Sequence, residues 1–259
     1  MVRPLGDWDA ADVQYRDRAV RALGRERFDA AAQRYVLAAY ATAAGGEGFG
    51  RSVFDEDDPG WVGEPLAYLA LAGVCERIAG RPGRAANRTA QGVLLAQDGR
   101  SYVLDHPVRR AACHEFEGDL HTVGRRPEKA REAYDRAVEL YRDYEPTGDD
   151  PTPARWTTEA PLQAGTDLVA QLTRPGRVTW DDLHGADPDR ALVHRAEFRR
   201  SRMAAAVQGL VDDGKLHAPR GSTEFNTGRY TCPECGSDDI NFVADTVLCV
   251  RCSAPTEPN

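Results

Sequence analysis

Four cysteines near the C-terminus constrain this chain more than any other feature. Cys232-Pro-Glu-Cys235 and Cys249-Val-Arg-Cys252 are two Cys-x2-Cys pairs separated by thirteen residues. Each pair sets two sulfurs on one tight turn, and a short hairpin between the pairs brings four thiolates to the corners of a tetrahedron about one Zn2+. Gly236 follows the first pair, where a positive φ lets backbone N–H groups point at sulfur, and Ser253 holds the matching place after the second. Ile240, Phe242, Val247 and Leu248 supply the β-prone runs for such a hairpin. Two disulfides or four free thiols are the alternative, which the spacing and the absence of a secretory context disfavour.

A metal bound there is structural. Four thiolates complete the tetrahedron and leave no position for water or substrate. A segment of about thirty residues buries too little apolar surface to fold alone, whereas structural zinc contributes on the order of 10 kcal/mol or more. The cysteine frame resembles the zinc ribbons of transcription factor B and of ribosomal proteins. No Gly-x-Ser-x-Gly, His-Glu-x-x-His or dinucleotide fingerprint occurs, so the expectation is a protein that is not an enzyme.

At 259 residues and 41% apolar content the chain has room for one large or two to three small domains with real cores. Acidic residues number 41 against 33 basic, a net charge of -8, and Lys129 and Lys215 are the only lysines. This composition resembles that of proteins from salt-loving archaea, whose acidic surfaces maintain hydration. The start of the chain lacks an apolar core of signal-peptide type. The longest apolar run, 65–75, is too short to span a bilayer, so the expected location is the cytoplasm with no membrane contact.

Internal similarity organises the first half. Ala130, Tyr134 and Ala137 form a small-large-small pattern after Gly118, and Ala31, Tyr35 and Ala38 repeat it. Gly73, Ala85 and Gly92 give a middle copy, with Thr89 where an aromatic is expected. Pro65, Pro107 and Pro127 suit first-turn positions, while Gly45-Gly46 and Asp98-Gly99 suit helix ends. These residues resemble tetratricopeptide repeats, although the aligned alanines at 31, 85 and 130 depart from that family's period. The resemblance implies stacked helical hairpins with a concave surface for a protein partner. The glycine-rich and acidic stretch 45–60 reads as a solvated connector.

The Pro- and Asp-rich stretch 145–159 reads as a linker. After it, three helical patterns, the second N-capped by Thr179 and the third starting at 187–188 and stopping at 212–215, precede a strand-turn-strand pattern over 215–225. This order resembles a winged helix-turn-helix. Residues 190–221 carry seven positive against three negative side chains inside an acidic protein. A helix breaking near Phe198 would present Arg195, Arg199, Arg200 and Arg202 to DNA; a solvated arginine face is the plainer account. The segment 226–259 carries two arginines against five acids, which suits protein contact better than phosphate. Cys113, His114, Glu117 and His121 fall close together on a helical pattern, either as buried packing residues or as a second metal group.

The sequence therefore predicts a mainly α protein: tetratricopeptide-like hairpins over 1–144, a linker over 145–159, a winged-helix-like α+β unit over 160–228 and a small β zinc ribbon over 229–259. The expected function is a zinc-binding adaptor that holds a protein partner, with a DNA-binding transcriptional regulator as the alternative. No small-molecule substrate is evident.

Overall fold

The computed structural model describes residues 11–44, 62–174 and 178–259. The connector 45–60, Gly45-Gly46 included, lies outside them. The chain is mainly helical with a small antiparallel sheet region at the C-terminal end. Helices α1 (Ala11–Gly24), α2 (Phe28–Ala44), α3 (Gly63–Ile78), α4 (Pro82–Asp98), α5 (Pro107–Val123) and α6 (Pro127–Arg142) form three consecutive pairs.

The same turn closes all three pairs. Glu26, Gly80 and Arg125 take φ of 55°, 72° and 60°, each five residues before the aligned alanine at 31, 85 or 130. In each turn the residue after the left-handed one donates its N–H five residues back: Arg27 to Ala22 at 2.9 Å, Arg81 to Glu76 at 2.8 Å and Arg126 to His121 at 2.8 Å. This is the Schellman arrangement, which satisfies carbonyls that a helix end leaves open. Unequal spacing of the copies therefore arises outside the hairpins. After α4 the chain adds a π-helical turn, Gly99–Val103, before His106 caps α5 through its ring nitrogen on the Val108 N–H at 3.2 Å.

Small residues let the paired helices approach. A Cβ on Gly73 would lie 2.8 Å from Val123 and 2.9 Å from Thr89, so Val123 supplies the bulk that Thr89 lacks. A Cβ on Gly118 would overlap the Tyr134 ring. Gly118→Ala is accordingly expected to cost about 1–3 kcal/mol through overpacking, read as a lower urea midpoint at unchanged m-value.

The second half adds α7 (Pro153–Trp156), α8 (Leu162–Leu172), α9 (Trp180–His184) and α10 (Ala191–Asp212). Thr179 caps α9 in a reciprocal capping box with Asp182. Gly214, at φ 63°, ends α10 while the Lys215 N–H returns to the Leu210 carbonyl at 3.0 Å. Two expectations change here. Helix α10 runs unbroken through Phe198, because Arg195 and Arg199 are accommodated on its inward face. Residues 160–228 also have no core of their own: Leu168, Leu172, Met203, Val207 and Leu210 share one apolar core with Leu66, Leu69 and Phe116 of α3 and α5. Leu192 and Ala196 share another with Val108 and Ala137. A chain ended near residue 153 would expose these faces, so the helical hairpins are not expected to fold independently of α8 and α10.

The expected hairpin at 215–225 also differs. Only Ser222–Glu224 (β1) is a strand, and it pairs with β3 (Ile240–Val243), 16 or more residues on, rather than with a neighbour. β3 pairs with β4 (Thr246–Cys249) across Ala244 and Asp245, at φ 54° and 51°, a two-residue turn whose twist suits a tight hairpin. The sheet order is β1-β3-β4. β2 (Tyr230–Thr231) pairs with β5 (Glu257–Pro258) beside it.

Candidate metal centre

The β3-β4 hairpin and the turn after β2 bring Cys232, Cys235, Cys249 and Cys252 together, with all four Sγ atoms within 4.8 Å of one another. Separations are 3.4 Å for Cys232–Cys252, 3.5 Å for Cys235–Cys249 and 3.7 Å for Cys235–Cys252. A tetrahedron with metal–sulfur bonds of about 2.3 Å has edges of about 3.8 Å, so the donor set fits one such ion. The same separations are well beyond a disulfide bond, and none of the four cysteines is disulfide-bonded.

Two matching turns hold the sulfurs. Gly236 N–H donates to the Cys232 carbonyl at 2.8 Å, and Ser253 N–H to the Cys249 carbonyl at 2.9 Å. Gly236 takes φ 69° and Ser253 takes φ 62°, so the serine accepts the conformation that glycine holds more cheaply. Arg251 N–H points at the Cys249 sulfur at 3.3 Å, a contact that favours thiolate.

The reason for serine lies in its side chain. Ala218 N–H donates to Ser253 Oγ at 3.1 Å, and Arg174 reaches the same oxygen at 3.4 Å. The Arg174 guanidinium also donates to the carbonyls of Ala218 and of Val250, inside the second cysteine pair. Burial, and then the neighbouring Arg220, holds that guanidinium below its usual pKa; the Cys249 and Cys252 sulfurs oppose the shift. Arg174 thus bolts the cysteine turn to α8 and places a positive charge beside the sulfurs. Val20 of α1, Ala218, Val243 and Leu248 form an apolar cluster on the other side. A Cβ on Gly24 would lie 3.0 Å from Leu248 and 3.1 Å from the Ser253 carbonyl, so α1 ends in a residue small enough for the hairpin to seat. The place of Ser253 in the second cysteine turn was legible, but Arg174 and the contacts it and Ala218 make to Ser253 were not, since these span 35 to 79 residues.

The four arginines expected at a DNA surface separate. Arg195 and Arg199 are 0% exposed. Arg195 Nε donates to Glu115 at 2.9 and 3.1 Å, and its amino groups donate to Thr166 Oγ1 at 3.2 Å and the Leu162 carbonyl at 3.1 Å. Arg199 bridges Glu115 and Asp119, and Tyr134 OH donates to Asp119 at 2.6 Å. Gly165 of α8 makes room, for a Cβ there would lie 2.9 Å from both guanidiniums. Burial alone raises the Glu115 carboxyl, but the two arginines outweigh it and hold it below the usual range. For Asp119 burial wins over Arg199 and the Tyr134 hydroxyl, and its pKa lies above the usual range. Buried guanidiniums consumed by carboxylates cannot reach phosphate, which removes Arg195 and Arg199 from the expected surface. Arg200 and Arg202 remain exposed, with Arg200 paired to Asp135.

The suggested second metal group is not assembled either. Arg100 Nη1 lies 2.8 Å from Glu117 Oε1 and also meets the His114 ring, so a cation already occupies that position. Cys113 is buried, which pushes its thiol up to about 12, and His121 is depressed by burial and Arg126. Among the described residues the C-terminal cysteines are the one group of three or more metal-donor side chains brought together. No described helix is long and apolar enough to cross a membrane. No protein-family model matches the chain, and no curated protein or solved structure matches it.

Proposed function

We propose that this protein is a non-enzymatic adaptor in which one Zn2+, held by Cys232, Cys235, Cys249 and Cys252, staples a ribbon onto a tetratricopeptide-like helical body. The observation that carries the adaptor reading is a cleft of about 1330 Å³ between the two parts. Tyr68 and Leu71 of α3 and Ala164 and Ala170 of α8 form one wall, and Phe225, Val250 and Arg251 form the other. Apolar walls edged by both signs of charge suit a peptide segment of a protein partner. Zinc is the preferred ion because four thiolates in tetrahedral spacing favour a soft, borderline cation without redox chemistry. Free thiolates require a reducing compartment, consistent with the cytoplasm. The burial of Arg195 and Arg199 weighs against the regulator alternative, which loses half of its phosphate contacts.

A displayed library of random peptides is expected to yield binders to the zinc-loaded protein. Ala170→Arg with Phe225→Ala changes only exposed side chains, so the melting temperature should stay within a degree or two while peptide affinity falls about tenfold or more. Failure to select any peptide, or peptides that bind the variant equally well, would contradict the adaptor reading.

A further inference from the structure

At the turn between α5 and α6 lies a second pocket, of about 420 Å³, with none of the cysteines in its lining. Five arginines line it and no carboxylate does: Arg77 from α3, Arg125 and Arg126 from the turn, Arg131 from α6 and Arg200 from α10. We propose that this pocket binds a small ligand carrying two or more phosphate groups.

Convergence of five guanidiniums is the first argument. The chain carries a net charge of -8, so positive charge gathered in one concavity opposes the overall composition and favours an anion there. Partnering is the second. Arg200 is neutralised by Asp135, and Arg77 donates to the uncharged Gln208 amide at 2.7 Å. Arg125, Arg126 and Arg131 make no side-chain hydrogen bond or ion pair with any described residue. Arg77 is held below its usual pKa by burial and then by Arg125, with Asp212 opposing.

Backbone adds to the field. The sixteen-residue helix α6 begins at the pocket with no side chain capping Arg126; Pro127 removes one first-turn N–H and Glu128 offsets part of the positive end, so the backbone adds less than the guanidiniums do. Guanidinium forks bind phosphate oxygens in pairs, and the volume falls in the range of small-ligand sites, about 300–1,000 Å³. A half-open concavity of this size, with Arg125, Arg131 and Arg200 exposed at it, suits the phosphates of a compact molecule better than the long backbone of a duplex, which needs a stripe. Tyr134 forms part of the wall while its hydroxyl bonds to Asp119, so a ligand here also abuts the buried network between α5 and α10.

Isothermal titration of the full, metal-loaded chain with pyrophosphate, ADP and sulfate at fixed ionic strength tests this. Pyrophosphate should bind with micromolar affinity, at least about tenfold tighter than sulfate. ADP binding more tightly than pyrophosphate assigns the phosphates to a nucleotide, and equal or weaker binding assigns them to another phosphate source. Arg125→Ala with Arg126→Ala should weaken pyrophosphate at least about tenfold, and Arg131→Ala provides an independent single change if the pair disturbs the turn. Arg136→Ala with Arg155→Ala removes the same charge elsewhere and should leave affinity unaltered. No heat with pyrophosphate at millimolar concentration, equal losses in both double variants, or binding of a DNA duplex without pyrophosphate would overturn the proposal.

Discussion

Glu115→Ala should destabilise the protein by about 3–5 kcal/mol, a large fraction of the roughly 5–15 kcal/mol that holds a typical domain together. Glu115 receives both Arg195 and Arg199, and all three side chains are fully buried. Without it two guanidiniums share the single Asp119 carboxylate inside the core, and one charge is left uncompensated. The solvent-exposed pair Arg200–Asp135 gives the internal control, since removing it should cost no more than about 1 kcal/mol. Urea titrations of Glu115→Ala and Arg200→Ala measure the contrast, and equal small losses would contradict the buried network. The network joins α5 to α10, so its loss should also loosen the docking of the whole second half.

Loss of the metal should have the other large effect. Removal by a chelator, or Cys235→Ser, is expected to abolish a binding free energy on the order of 10 kcal/mol and to unfold the ribbon. Helical circular dichroism should largely persist at room temperature, because the ribbon contributes strands rather than helix. The melting temperature of the remainder should nevertheless fall, since Val20 and Gly24 lose the cover of Leu248 and Arg174 loses its carbonyl acceptors. Arg174→Ala separates the two effects: metal content should be retained while the melting temperature drops. Superimposable melting curves with and without chelator would show that the ribbon does not support the body.

Sequence was most informative where the determining contacts are local. Both cysteine turns depend on residues within five positions, and the hairpin turns at Glu26, Gly80 and Arg125 are set by hydrogen bonds that reach five residues back. The small residues at 73 and 118 could be read because Thr89 and Tyr134 sit across a single helical hairpin, 16 residues on, although Val123, also against Gly73, lies 50 residues on. Charge was misleading for the opposite reason. Arg195 and Arg199 meet carboxylates 80 residues or more earlier, and charge by itself does not set them apart from the exposed Arg200 and Arg202. The available signal was a matched i, i+4 spacing, Glu115 with Asp119 and Arg195 with Arg199, together with Gly165. β1 likewise looked like half of a local hairpin because its partner, β3, lies beyond the first cysteine pair.

Native mass spectrometry with elemental analysis, on protein purified without chelator, tests most directly whether one zinc ion organises the C-terminal end. The expected result is one zinc per chain, lost when Cys235 and Cys252 are both replaced by serine. A metal-free protein, or a double variant that still carries a full equivalent of zinc, would contradict the assignment of the centre.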